Sequence, residues 1–473
     1  MVDAELNGVQ VYSSRHGVVV SNATVNFNDC SFSTNPVSGS GIVLDHPSTI
    51  AVTRCLIVNN KYGIISKSKH HMLNITDCIL ENNTANAIHL VHTSTGAVTP
   101  ATLLLHRNLF SDNLRAVHVD HRIAIHIQVE AVDNVVESPS VNSDVSRSSV
   151  SISGLYINIG PYYARNQAHV VLQRNSFQHL PYSAVSISIC YYYRLGSKQS
   201  IALIGNKFTA ISQTAVVIQC ADSAITLIQS NTFLQNQIDT GTSCLSISSR
   251  AVDTRSSVEL TIDHNEFRDN SGTYVASFAF GGSSFSPGGV SSLSEFVSNT
   301  LFDNFPQESS VYSEYSGLPM HFNTFSNQRA TFELRVGFPP DQEANCTYNW
   351  WGVDTTDAIA ARILDHSDMD SVGSVVFVPF LNSSQFDCDK LSDCSDHGSC
   401  VYHDTCLCDA GWSGVDCSSY SCLSIYDCSN QGQCVGPNFC RCDTGWLQPD
   451  CSKASCVLQN NCSNRGVCSL PNM

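Results

Sequence analysis

Fifteen of the 22 cysteines lie from Cys388 onward, at regular spacing. Cys388, Cys394, Cys400, Cys406, Cys408 and Cys417 are separated by 5, 5, 5, 1 and 8 residues. Cys422, Cys428, Cys434, Cys440, Cys442 and Cys451 repeat those intervals, and Cys456, Cys462 and Cys468 begin a third copy that stops at Met473. Thiols this dense in units of 34 residues either pair as disulfides or hold a metal. Zinc is disfavoured, because intervals of five residues are not the usual CxxC ligand pairs, and no metal or cofactor is expected. Disulfides require an oxidising compartment and replace the hydrophobic core that so short a unit cannot build. Six cysteines allow 15 pairings, among which spacing alone does not choose.

Six N-x-[ST] sequons, at Asn22, Asn74, Asn82, Asn345, Asn382 and Asn461, are glycosylation candidates in that extracellular context. Groups that could do acid–base chemistry or ligate a metal are Asp120-His121-Arg122, Asp263-His264 and His70-His71. Glycoside hydrolysis needs paired carboxylates across a groove. The motif set Asn-Thr-Asp, Asp-Asp, Ser-His-Gly and Arg-Ile-Lys is not present together, and Arg15-His16-Gly17 is only a partial echo. These groups are expected to be solvated outer-face or turn residues, with no catalytic residue and no metal site. A polysaccharide-binding or polysaccharide-cleaving protein is the alternative reading.

The positioning elements of the first 350 residues are read from an internal repeat. A reference position holds Cys30, Cys55, Cys78, Asn108, Asn175, Asn206, Asn231, Asn265, Asn299, Asn323 and Asn349. Three residues before it, and again two residues after it, every residue is apolar, from Phe27 and Phe32 to Cys346 and Trp351. Five residues after it, Asn recurs at Asn35, Asn60, Asn83, Asn113, Asn236, Asn270 and Asn304. Alternation before the reference position is that of a strand, and the step into it marks a bend. The later Asn is expected to end a short strand by taking left-handed backbone. A second strand follows, opening on a small residue, as in Ala87-Ile-His-Leu and Ala116-Val-His-Val. Stacked coils of this kind form ladders of like side chains, with Asn at the bends and Phe inside, and a single coil cannot bury its own inner face. The buried stacked amides are expected to satisfy one another, and Cys30, Cys55 and Cys78 to pack as small apolar residues. The step from Asn108 to Asn175 is expected to hide one or two irregular coils or an inserted loop.

Residues 344–382 read as a C-terminal cap. Asn349-Trp-Trp-Gly adds two aromatics over the open end, Asp354 is placed to N-cap a short helix with Asp357 in its first turn, and Val375-Val-Phe-Val-Pro-Phe-Leu returns as a strand. The fold class is therefore all-β: a right-handed parallel β-helix over 1–343, its cap over 344–382, and small disulfide-rich modules over 388–417, 422–451 and 456–473.

Through Cys-x-Cys-x-x-Gly-Trp (Cys406 to Trp412, Cys440 to Trp446) and Cys-Ser-x-x-Gly-x-Cys (Cys394 to Cys400, Cys428 to Cys434), the modules resemble the EGF-like family. The resemblance implies Cys388–Cys400, Cys394–Cys406 and Cys408–Cys417, then Cys422–Cys434, Cys428–Cys440 and Cys442–Cys451. The acidic run of calcium-binding EGF modules is not found before Cys388, so no calcium is expected. The repeats, the Asn-Trp-Trp-Gly cap with Arg362-Ile-Leu-Asp, and the modules together resemble animal ectodomains of the bark beetle (anakonda) type. That resemblance implies a glycosylated, membrane-anchored protein in cell–cell adhesion and septate or tricellular junction assembly, with cell-surface or matrix proteins, and glycans, as partners.

The formal net charge of −17 argues against nucleic acid and anionic lipid as partners. No apolar run is long enough to span a membrane, and the first residues do not read as a signal peptide. The chain is accordingly expected to be an extracellular segment of a larger protein.

Overall fold

The computed structural model describes residues 2–12, 15–34, 36–66, 71–92, 101–121, 126–138, 153–159, 167–189, 199–220, 224–238, 243–249, 259–280, 294–383, 389–402, 405–409, 411–447 and 449–455. These fall into two compact units, Met1–Asn382 and Ser383–Met473. In the first, the described strands make three parallel sheets of 12, 12 and 13 strands, in which each strand's neighbours are its counterparts one coil away. One coil contributes one strand to each sheet, so the unit is a parallel β-helix. Register is strict: Leu172, Leu203, Ile228, Ile262, Phe296 and Met320 are successive partners along the first sheet. Equivalent side chains therefore stack in columns about 4.8 Å apart. Phe177, Phe208, Phe233 and Phe267 are fully buried in one such column, with ring centroids 5.1, 4.8 and 4.5 Å apart. One complete coil occupies the long step between Asn108 and Asn175: strands His126–Val132, Val135–Glu137 and Ser153–Ile159, with Asn134 in the reference slot.

The reference slot forms an unbroken amide ladder from Asn108 to Asn349. The side-chain Nδ2 of each Asn donates to Oδ1 of the next at 2.9–3.1 Å, and each backbone N–H donates to that same oxygen at 2.8–3.0 Å. Each rung hands these two bonds on toward the C-terminal end, while Nδ2 also donates back to a carbonyl one coil earlier, such as Leu172 O from Asn206. Cys30, Cys55 and Cys78 continue the slot and are more than packing residues. Their sulfurs accept from the backbone N–H one coil earlier, Cys30 to Cys55 and Cys55 to Cys78, both at 3.2 Å, and donate back to carbonyls such as Leu6 O and Val52 O.

The left-handed backbone falls elsewhere than expected. The residue before the reference slot has φ between +51° and +63° in every coil, from Gly8 and Asp29 to Tyr348. At the second bend the left-handed residue is Asn59, Asn82, Asp112, Gln235, Asp269 or Asp303, one position ahead of the recurring Asn. That Asn is instead buried and builds a second ladder, Asn60–Asn83–Asn113 and then Asn236–Asn270–Asn304–Asn327. A non-glycine residue in left-handed backbone costs roughly 1 kcal/mol, and the ladder bonds on either side hold it there. Asn35 lies outside the described residues.

The cap differs from expectation in two details. The N-cap of the helix Thr356–Ala360 is Thr355 rather than Asp354; its hydroxyl accepts from Ala358 N. The returning strand is confined to Ser374–Val376 and pairs in parallel with Glu343–Asn345. Trp351 is fully buried and stacks on Phe325 at 4.8 Å, while Trp350 stays half-buried. The second Asn ladder ends on a carboxylate. Glu333, 0% exposed, accepts from Asn327 N (2.9 Å), Asn327 Nδ2 (2.7 Å) and Ser310 Oγ (2.6 Å), and pairs with Arg362. A column of aligned donors ends in partial positive charge, as a helix N-terminus does, and an anion there is favourable.

The second unit is held by Cys394–Cys406, Cys408–Cys417, Cys422–Cys434, Cys428–Cys440 and Cys442–Cys451. Each set braces an antiparallel hairpin, Gly398–Tyr402 with Thr405–Cys408 and Gly432–Gly436 with Phe439–Cys442. Cys388, with its expected partnership to Cys400, and residues 456–473 lie outside the described residues.

Candidate interaction surface

The residues with chemical potential in the sequence do not converge. The sulfurs of Cys422, Cys428 and Cys440 come within 4.8 Å of one another, but each is bonded to another sulfur or to one of the three, so none is a thiolate ligand. Asp263 ends the strand Glu259–Asp263 and accepts from Gln229 Nε2 at 3.1 Å; it pairs with His264, which occupies a left-handed bend. Asp120 corrects the expectation of a solvated residue: it is buried and accepts from Asn158 Nδ2 at 3.2 Å. The side chains of His121, Arg122, His70 and His71 lie outside the described residues. Of the sequons, Asn22 and Asn82 sit exposed on left-handed bends, and Asn345 and Asn382 are exposed around the cap. Asn74 is half-buried on a strand of the first sheet and accepts from Thr76 Oγ1 at 3.2 Å. None of these five is on a strand of the third sheet; Asn461 lies outside the described residues.

What the fold does bring together is a strip on the outer face of the third sheet, over coils 3 to 6. Its strands are Tyr62–Ser66, Asn86–His92, Arg115–His121 and Ser153–Ile159. In each, a small residue and the next apolar one are both buried, as Ala87-Ile88 and Ala116-Val117 are, which swings the following residue outward. His89, His118 and Tyr156 are register partners there. Centroids run Tyr62–His89 4.9 Å, His89–His118 5.0 Å and His118–Tyr156 5.1 Å. Lys61 lies over the Tyr62 ring and the Arg115 guanidinium over the Tyr156 ring, both 5.5 Å from the centroid. Such cation–ring contacts are worth about 0.5–1 kcal/mol at exposed sites.

Both histidines are held neutral. Burial first, then the neighbouring His89 and Arg115 charges, pushes His118 down to about 4; burial and then Arg115 lower His89. Their Nδ1 atoms act as acceptors, His89 from Asn86 Nδ2 (2.6 Å) and His118 from Arg115 Nη1 (3.4 Å), so the ring proton sits on Nε2. Both histidines lie in the strands that open on a small residue, but a period-two reading hides them, because two consecutive buried residues shift the outward phase.

A second column runs along the first bend. Its left-handed residues alternate in charge, Asp29, Arg54, Asp77, Arg107, Asp133 and Arg174. Each Arg makes two bonds of 2.7–2.9 Å to the Asp one coil earlier, and holds that carboxyl below the usual range. Exposed pairs of this kind add little stability; alternation instead penalises a slip of one coil, which would set like charges together.

Over residues 3–110 the chain is similar to the family described as the right handed beta helix region, a match that spans the first four coils and enters the fifth. With the three parallel sheets, it makes the fold a right-handed parallel β-helix. No curated protein and no solved structure matches the chain.

Proposed function

We propose that this chain is a non-enzymatic extracellular scaffold, part of an ectodomain acting in adhesion between cells or in the assembly of epithelial junctions. The observation that carries the reading is the join of two kinds of rigidity in one chain. Twelve stacked coils, tied by amide ladders from the third onward, make a stiff unit roughly 55 Å long at the usual strand spacing, and five disulfides among the described residues brace a second unit whose short hairpins have little other core. Disulfides at this density belong to the outside of the cell, and the EGF-like resemblance of the modules agrees. Beyond the aromatic strip, that outward column of the third sheet holds Ser186, Val217, Ser246 and Ser277 before it reaches Tyr312. Hydrolysis would want two carboxylates facing a groove, whereas Asp120 beside the strip is buried and engaged with Asn158.

The test displays the whole chain on the surface of cells that do not otherwise adhere, and scores clustering and enrichment at contacts. Clustering that reducing agent abolishes supports the reading. Release of reducing ends or unsaturated products from a panel of polysaccharides by the purified chain would replace it with the enzyme alternative.

A further inference from the structure

We propose that the corner formed by the first bend and the outer face of the second sheet, over coils 2 to 7, pairs with the same corner of a second copy of this chain running antiparallel, as a weak two-fold dimer. The inference goes beyond the scaffold reading and does not depend on it.

Two adjacent columns carry the argument. The first is the left-handed column of alternating charge, Asp29, Arg54, Asp77, Arg107, Asp133 and Arg174, which gives way to glycine at both ends, Gly8 and Gly205. These side chains are between 39% and 58% exposed. The bonds to the neighbouring Asp use Nε and Nη2 of each Arg, so Nη1 keeps its donors for a further partner. The second column lies two residues on, along the outer face of the second sheet: Ser31, Leu56, Ile79, Leu109, Val135 and Ser176 are register partners from coil to coil. Leu56 and Ile79 are 38% and 42% exposed, and Leu109 and Val135 are half-buried. Further along, the same column holds Lys207, Thr232, Glu266, Thr300 and Thr324, so the aliphatic run is confined to coils 3 to 6.

Both columns share one centre, between coils 4 and 5. A two-fold axis lying across the strip at that point reverses each column onto its own copy, as an isologous contact requires. Asp77 then faces Arg107 of the second copy, Arg54 faces Asp133, and Asp29 faces Arg174, so every charge meets its opposite. In the aliphatic column Ile79 faces Leu109, Leu56 faces Val135, and Ser31 faces Ser176. The columns on either side bring no like charges together: Glu81 faces Ser111, Glu137 faces Val58, and His106 faces Thr76. Parallel pairing would instead set each charge against itself. Alternation therefore fixes direction and register, and the aliphatic contact supplies the affinity.

Size sets the strength. Five coil spacings make the strip about 24 Å long, which places the pair among small, transient interfaces of about 1,200 Å² or less in total. A dissociation constant in the micromolar range or weaker is expected, and weak pairs add up between chains displayed in numbers on two surfaces. The sequons Asn74, on the first sheet, and Asn82, on the second bend, stand three residues to either side of the columns in coil 4, so glycans there border the strip.

The test is sedimentation velocity of the whole chain, with any N-glycans trimmed, over a concentration series. The parent chain is expected to dimerise. Asp77→Arg alone puts a second cation opposite Arg107, and Arg107→Asp alone puts a second anion opposite Asp77; each should weaken self-association about tenfold or more. Mixed one to one, these two variants oppose cation to anion at both places and should dimerise with each other, which misfolded chains would not do. The double variant Ile79→Ser, Leu109→Ser copies the residues at the two ends of its own column, Ser31 and Ser176, and should also weaken the dimer about tenfold or more. Ile225→Ser, exposed on the first sheet of a later coil, should leave it unchanged. A parent chain monomeric at about 100 μM, a mixture that stays monomeric, indifference to the Ile79 and Leu109 changes, or equal loss with Ile225→Ser would each overturn the proposal. A monomeric chain that still clusters cells ends this inference and leaves the scaffold reading standing.

Discussion

Replacing Arg362 by Met should unzip the C-terminal coils, because it strands a buried charge at the end of an amide ladder. Glu333 is fully buried and receives three hydrogen bonds besides the Arg362 pair. Arg362 also donates from Nη2 to Asn327 O at 2.8 Å. Removing one partner of a buried ion pair costs about 3–5 kcal/mol. Glu333→Gln alone should cost about 2–3 kcal/mol, since one oxygen becomes a donor facing Asn327 Nδ2 and Ser310 Oγ. The double variant buries no charge, so its loss should fall short of the sum by about 2 kcal/mol or more. Urea unfolding of the four proteins supplies the cycle. Hydrogen exchange locates the effect: the amides of Asn304 and Asn327, bonded to Asn327 Oδ1 and Glu333 Oε1, should lose protection before those of Asn108 and Asn134. In a stacked array each coil leans on its neighbours, so damage at one end spreads from that end. An Arg362→Met loss below about 1 kcal/mol, or strictly additive variants, would refute the account of the ladder terminus.

Three further outcomes are expected. Phe208→Ala, which empties a buried place between Phe177 and Phe233, should cost about 3–5 kcal/mol in urea unfolding. Asn231→Ala leaves Asn206 N and Leu203 O without their partner and takes one of two donors from Asn265 Oδ1, which keeps the backbone N–H of residue 231, and should cost about 2–4 kcal/mol; Asn231→Cys, the residue native to that slot in coils 2 to 4, should cost clearly less, and equal losses would contradict the shared role. Acidification is the third. His118 sits below its ordinary value of 6.5, at about 4, so between those values the unfolded chain holds a proton that the folded chain refuses. Its contribution is complete above about pH 6.5 and is lost as pH falls toward 4, about 1–2 kcal/mol once partial exposure is allowed for. His118→Phe should therefore show a smaller drop in urea midpoint between about pH 7.5 and about pH 4.5 than the parent chain.

The β-helix was legible because its constraint is repeated at every turn. The slot occupied by Asn206 or Asn231 and the apolar residues around it must match their copies one coil away, so the sequence carries the register many times over. Coil 6 was expected somewhere within the step from Asn108 to Asn175 but not placed, because the residues around Asn134 are Ala131 and Val136, smaller than most of their counterparts, and because the chain between its second and third strands is long. The left-handed positions escaped for a chemical reason. Steric tolerance pointed to the recurring Asn, yet the ladder needs its amide inside, so the residue before it, Asn59 and Asn82 as well as Asp112, Asp269 and Asp303, takes the strained backbone, stabilised by rungs above and below. The aromatic strip was invisible for want of phase: Ala87-Ile88 breaks the alternation, and only the coil-to-coil register shows that His89 and His118 adjoin Tyr156. Pairing of the module cysteines was never readable from intervals, because five-residue gaps permit several hairpins; the motif resemblance supplied it.

The one-way hand-off along the amide column also sets a rule for changing the length of the molecule. Within the Asn column each rung gives away the bonds it receives, so one turn can follow another there without orphaning its amide. Duplication or excision of one whole turn, such as the stretch from Asn206 up to Asn231, would move the two ends by about 4.8 Å and reseal the column. A cut at any fraction of a turn would throw every slot out of phase. The solenoid is in this sense a ruler with fixed graduations, adjustable by gene-level copying of whole marks and by nothing finer.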